Sequence, residues 1–531
     1  MKIRSRNIAV AAVAVMARTA FGQEHSHTAT SLPRLGTVHF ATSCAPSTAP
    51  TFDRGVALLH SFEFAESIRT FNEVLAGDST CAMARWGIAL SRWGNPMAPG
   101  ERGAVTLEPG RVAAIAAVRS AESAGTTDRE REYAAAVSVL YADYEHTPQG
   151  ARVVAYEKAM RLLVAAQPAD TEAKIFHAIA LVAAASPTDK TYASQLEAGA
   201  TLEALWAKQP SHPGLAHYII HAYDSPALAS RAESAATRYA DIAPSAAHAL
   251  HMPSHTFTRT GQWQASIATN LKSIAAARAA GAIAEALHAS DYAMYAYLQL
   301  HRDSAAHALL LGLPKLAKGF DANAISGAAP GAAGVFALAA IPARYALERR
   351  AWSEAAALRP ASTPFPYADA MTYLAVSLGA SHTGKMTLAR ASADSLLAIR
   401  ERLKARNDAY WSEQVAIEEL EARAWIDFAA GRKTEALSGM LEAATREDAT
   451  EKSVVTPGPL APAHELFGDM MMDLRKPAAA LAQYRATLSK EPNRYRALYG
   501  AMVAAQAAGD RGTASMYAVE LNKLTAQRAP R

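Results

Sequence analysis

His217-Tyr-Ile-Ile-His221 and His251-Met-Pro-Ser-His255 each place two histidines four residues apart, and the second pair follows the first by 34 residues. Residues four apart on a helix share one face, about 5–6 Å apart at Cβ. His248 extends the second row by one turn, Asp224 continues the first, and Arg259 follows one turn beyond His255. Packed helices lie roughly 8–10 Å apart, so two facing histidine pairs can converge on one ion. Imidazole ligands with a carboxylate nearby suit Zn, Cu, Ni or Fe, while the lack of thiolates argues against a closed zinc of the finger type. Three histidines would leave one coordination position open for water, with Asp224 placed as a base. Against an enzyme, there is no zinc-protease motif, Gly-rich phosphate loop or nucleophile elbow. Pro253 removes a backbone donor inside the second row and predicts a kink near Ala249.

The elements that must position these residues repeat with the same period. Pro210 and Pro244, each at the end of an expected second helix, are also 34 apart. That is the length of a helix–turn–helix unit that stacks on copies of itself. The 531 residues are too many for one core, a limit that a stack of hairpins escapes by burying each unit on its neighbours. Half of the residues are hydrophobic, and the chain is rich in Ala, Leu, Glu and Arg without strand-like alternation. The expected fold is all-α. A net charge of +4, with Lys and Arg scattered among Asp and Glu, offers no basic patch for nucleic acid.

The N-terminus reads as an export signal. Lys2, Arg4 and Arg6 precede the apolar run Ile8 to Met16, and Ala20-Phe21-Gly22 offers a cleavage site. No later segment reads as a membrane span, so a periplasmic or extracellular location is expected. Cys44 and Cys81 are the two cysteines, and in an oxidising compartment they can staple the first repeat. Two buried thiols are the alternative. Gln23-Glu24-His25 offers a weak Cu(II) site, whereas His60, His177, His288 and His464 stand alone in sequence and read as packing residues.

Expected boundaries are a signal peptide at 1–22, a flexible arm at 23–47, a solenoid of hairpins at 48–281, degenerate helical repeats at 282–456 and clean repeats at 457–531. The stretches Arg54-Gly-Val-Ala-Leu-Leu-His-Ser-Phe62, Cys81-Ala-Met-Ala-Arg-Trp-Gly87, His212-Pro-Gly-Leu-Ala-His-Tyr-Ile-Ile-His221 and His248-Ala-Leu-His-Met-Pro-Ser-His255 resemble exported bacterial tetratricopeptide-repeat proteins. The resemblance implies an α-solenoid of hairpins in a right-handed superhelix, whose concave groove binds a peptide or protein. It implies no reaction.

Three readings stand. The histidines are packing residues of similar repeats; or they line a peptide groove with Tyr218, Asp224, His248 and Arg259 as polar contacts; or His217, His221, His251 and His255 hold a divalent transition metal. The groove is the leading expectation and the metal the alternative.

Overall fold

Phe71 shows how the hairpins lock together. Its ring lies between Gly55 and Gly87, and a Cβ on Gly55 would sit 2.8 Å from Phe71 Cε1. Tyr484 repeats the device between Gly468 and Gly500 near the other end of the chain. A large ring on the second helix of a unit thus needs glycine on the first helices of that unit and the next. This small–large complementarity is what stacks neighbouring units.

The computed structural model describes residues 33–98, 102–325 and 327–526. Among them the regular elements are helices alone, from Ala49–His60 to Arg511–Thr525, and consecutive helices pack as antiparallel pairs. The protein is an all-α solenoid. No helix of the described residues is long and apolar enough to cross a membrane. The signal peptide and His25 lie outside the described residues.

From Arg34 on, the described residues form one compact unit. The boundary expected at 281/282 falls between two closely packed helices, Trp263–Ala279 and Ile283–Gln299. The last repeats also touch the central ones, because Trp263 Nε1 donates to the Asn493 carbonyl at 2.8 Å. Gly261 takes φ +68° where it meets the Pro492 carbonyl, a conformation and an approach that a side chain would obstruct.

The described part of the expected flexible arm is a correction. Residues 34–47 are tied down: Leu35, Val38 and Phe40 are buried, Arg34 N donates to Ser245 Oγ at 2.9 Å, and Thr37 N to the Ser211 carbonyl at 2.9 Å. Apolar side chains scattered through a polar-looking segment are the reason.

Residues 450–462 connect helices Lys433–Ala449 and Ala463–Asp473 without regular structure. They form a strap across the inner face of the central repeats. Tyr192 and Tyr410 hold Glu451, Tyr292 Oη donates to the Val454 and Thr456 carbonyls at 3.0 and 3.1 Å, and Arg344 donates to the Pro459 carbonyl at 3.0 Å. Arg344 is itself fixed by Asp291 in a fully buried pair. The boundary expected at 456/457 falls within this strap.

Cys44 and Cys81 form a disulfide across a separation of 37 residues. A loop of that length predicts a contribution of about 4 kcal/mol from restriction of the unfolded chain. Cys44→Ala/Cys81→Ala should therefore lower the free energy of urea unfolding by roughly that amount, without changing the far-ultraviolet dichroism of the folded chain.

Candidate metal centre

Helix Pro213–Ala222 opens with Pro213 in its first turn, where the missing N–H costs nothing. It carries His217 and His221. The second row is split into helices Ala247–His251 and Pro253–Arg259, which meet at Met252, three residues beyond the expected kink. The Met252 N–H still reaches the His248 carbonyl at 2.9 Å, and His255 N bonds the Met252 carbonyl at 3.1 Å, a tightened turn that lets the chain pass Pro253. The third contributor is helix Ile283–Gln299, buried along nearly its whole length, with Glu285, His288 and Tyr292.

These helices bring six imidazoles together in two adjoining sets, His217/His221/His248 and His251/His255/His288. Within each set, one ligand atom per residue lies within 4.8 Å of the others. The sets touch: the His248 and His251 rings are 5.9 Å apart between centroids, and those of His221 and His255 are 6.1 Å apart. All six side chains are buried. His288 was read from sequence as an isolated packing residue, and that is corrected here. It stands 33 residues after His255, one short of the repeat, so the period itself carried the signal.

Four of the rings are held from behind through Nδ1. His217 donates to the His60 carbonyl at 2.6 Å, and His248 faces Glu285 Oε1 at 3.0 Å. His251 faces Asn270 Oδ1 at 2.7 Å, and His255 faces Asp224 Oδ2 at 2.9 Å. Each outer group is an acceptor. The Asn270 orientation is fixed by its Nδ2, which donates to the Ser266 carbonyl at 2.7 Å. Each of these rings therefore carries its proton on Nδ1 and presents a bare Nε2 inward, the outer arrangement that orients metal-bound histidine. The Nε2 atoms of His217 and His248, both nitrogens of His221, and His288 Nδ1 have no hydrogen-bond partner.

His251 Nε2 and His255 Nε2 face each other at 3.1 Å. With both protons on Nδ1, two lone pairs oppose one another, and no hydrogen bond can join them. Two nitrogens bound tetrahedrally to one ion at about 2.0–2.1 Å would be about 3.3 Å apart, close to what is found. Burial, and then the neighbouring imidazoles, hold His217, His221, His251 and His288 well below the usual histidine value. Burial also lowers His255, partly offset by its bond to Asp224. These five rings are thus held toward the neutral form, the one that binds a metal.

The remaining predicted residues have other places. Asp224 binds His255 and Arg259 Nε (2.9 Å each) and lies 3.6 Å from Lys452 Nζ. Burial pushes its carboxyl up, but Lys452 and Arg259 outweigh this and hold it well below the usual range. It therefore orients His255 and is not free to act as a base on water. Arg259 is spent on Asp224 and lies beneath the strap. Tyr218 is a core residue whose hydroxyl lies 3.1 Å from His60 Nδ1. Glu172 sits between His60 Nε2 and His212 Nε2 at 2.9 Å each, a third convergent cluster that is already closed by its own hydrogen bonds.

A cavity of about 40 Å³ lies in front of His221, His248, His255 and His288, closed by Val454 and Val455 of the strap and by Tyr367 and Trp411. Since one water needs about 10–15 Å³ of such space, it holds a few waters or a small ligand. His221 also borders a larger cavity of about 370 Å³ that runs past Asp224, Lys452 and Tyr192 to exposed Pro187 and Asn407, and this is the route to solvent.

No family model and no curated protein matches this sequence. Among solved structures, a human IFIT1 dimer with m7Gppp-AAAA is similar at 12% identity and TM-score 0.36, covering 84% of this chain and 90% of that one. A human IFIT1 dimer with PPP-AAAA is similar at 12% identity and TM-score 0.33, covering 80% and 88%. Likenesses this loose carry no argument about a ligand here.

Asp224→Asn should destabilise the chain by about 3–5 kcal/mol in urea unfolding, because it leaves Arg259 and Lys452 buried without their counter-charge. Glu122→Gln, on an exposed residue, should change it by less than about 0.5 kcal/mol.

Proposed function

We propose that this chain is a metalloprotein, an α-solenoid that holds two adjacent transition-metal ions, one on His217, His221 and His248 and one on His251, His255 and His288. The observation that carries the reading is the opposition of His251 Nε2 and His255 Nε2 at 3.1 Å, with both Nδ1 atoms committed to acceptors. Buried lone pairs that face each other need a cation between them, and neutral imidazoles select zinc, copper, nickel or iron. An ion with three such ligands keeps an open position at which it binds and polarises a small molecule. The residues supply the rest: Asp224, Glu285, Asn270 and the His60 carbonyl fix the rings, while Tyr367, Trp411, Val454 and Val455 exclude bulk water.

A peptide in a histidine-lined groove draws no support from these positions, whose side chains are buried beneath the strap. The Cys44–Cys81 disulfide supports a location outside the reducing cytoplasm.

The full chain, purified without chelator, should contain two equivalents of transition metal by elemental analysis. His217→Ala and His251→Ala should each retain about one. The metal-free chain should gain thermal stability on addition of the cognate ion, by about 4 kcal/mol at a thousandfold excess over Kd. A metal-free preparation whose Tm is unmoved by Zn(II), Cu(II), Ni(II) and Co(II) would falsify the reading.

A further inference from the structure

Helix Ala409–Ala429 carries Glu418 and Glu421 three residues apart, on one face, and turns them toward a cavity of about 120 Å³ under the strap. Glu447, from helix Lys433–Ala449, borders the same cavity. Glu421 is 2% exposed and makes no hydrogen bond or ion pair among the described residues, and Glu418 Oε2 is buried without a partner. Glu447 accepts the Ala463 N–H at 3.2 Å. A buried carboxyl left without a donor or cation is costly, and here two stand side by side with a third nearby.

Among the described residues no cation around the cavity forms an ion pair with Glu418, Glu421 or Glu447, although Lys452 Nζ is buried without a hydrogen bond. Arg259 is bound to Asp224, Lys452 lies 3.6 Å from the same carboxylate, Lys490 Nζ is 2.6 Å from Asp448, and His464 lies between Asp448 and Gln483. The other two acids on the rim are answered as well: Glu451 by Lys190 and Tyr192, Glu491 by Tyr295 and Arg494. Burial pushes Glu418 up to about 8, and burial pushes Glu447 up to about 7.

Part of the lining is aromatic. Tyr367 and Trp411 stack with ring centroids 4.1 Å apart and planes 4° from parallel, and Met371 and Leu374 extend the apolar side. Aromatic faces attract cations, most strongly where water is excluded. The cavity is about ten times the space of one water, which suits a cation with its own hydrocarbon volume.

We propose that the cavity between the Tyr367–Trp411 wall and the Glu418, Glu421 and Glu447 carboxyls binds a small organic cation of the alkylammonium class. The positive head lies against Glu421 and Glu418, and the hydrocarbon part rests on Met371, Leu374 and the ring faces. The site stands without the metal reading. Tyr367 and Trp411 also wall the small cavity in front of the histidines, so such a ligand would sit across the aromatic pair from them.

The test is calorimetric titration of the full chain with butylammonium and tetramethylammonium, with 1-butanol as the neutral control. Butylammonium should bind at least tenfold more tightly than 1-butanol, and Glu421→Gln and Glu418→Gln should each weaken it at least tenfold. A second readout needs no ligand. Glu418 in the folded chain keeps a proton that the unfolded chain releases above about 4.5, so stability declines as pH rises from there toward about 8. Glu418→Gln removes its share of that decline and should raise Tm at pH 8. Equal binding of 1-butanol, unchanged binding in both variants, or preference for Mg(II) or Ca(II) over butylammonium would overturn the proposal. So would a Tm at pH 8 that Glu418→Gln leaves unmoved.

Discussion

Six buried imidazoles packed together at the centre of a helical stack are the constraint on which the rest depends. Each neutral ring has one nitrogen that donates and one that accepts, and a buried acceptor facing another acceptor is repelled. The chain meets this demand on one side only. Glu285, Asn270, Asp224 and the His60 carbonyl satisfy Nδ1, and the inward nitrogens are left bare. Apolar packing would have used other residues: leucine fills such volume with no polar atom to satisfy. The outer acceptors make sense as a set that aims lone pairs at a common centre.

Two further layers follow. Asp224 can hold His255 as a carboxylate because Arg259 and Lys452 surround it, and Lys452 comes from the strap. The strap is anchored by Tyr292, which rises from the same helix as His288, and by Arg344, which is locked to Asp291 on that helix. Helix Ile283–Gln299 thus supplies a ring, an orienting carboxylate for another, and the fixings of the lid. A solenoid normally leaves its inner face open. Here a connection between two late helices fills that face and turns a surface groove into an enclosed chamber reached past His221.

Much of the fold was legible in the sequence because its determinants are periodic. The 34-residue offset between His217 and His251 and between Pro210 and Pro244 fixed the unit, and helical composition did the remainder. The pairing of His217 with His221 and of His251 with His255 was legible for the same reason, but the two pairs, expected to converge on one ion, fall in separate sets. What was not legible depends on distant contacts. Tyr218 and His221 are three residues apart, yet one meets His60 in the core and the other meets the cavity. His60, Glu172 and His212 converge from three separate helical regions. The strap shows in sequence only the run Thr456-Pro-Gly-Pro459, and nothing local records that Tyr292, Arg344 and Asp224 await it. Buried histidines were expected at a groove surface for that reason.

The most direct test is an anomalous difference map from crystals of the protein, with data collected above and below the absorption edge of whatever metal the preparation contains. The account predicts two peaks, one within about 2.0–2.2 Å of His251 Nε2 and His255 Nε2 and the other at the same distance from His217 Nε2 and His248 Nε2. Density for a water or a shared proton between the His251 and His255 rings, with no anomalous signal in either set, would contradict it.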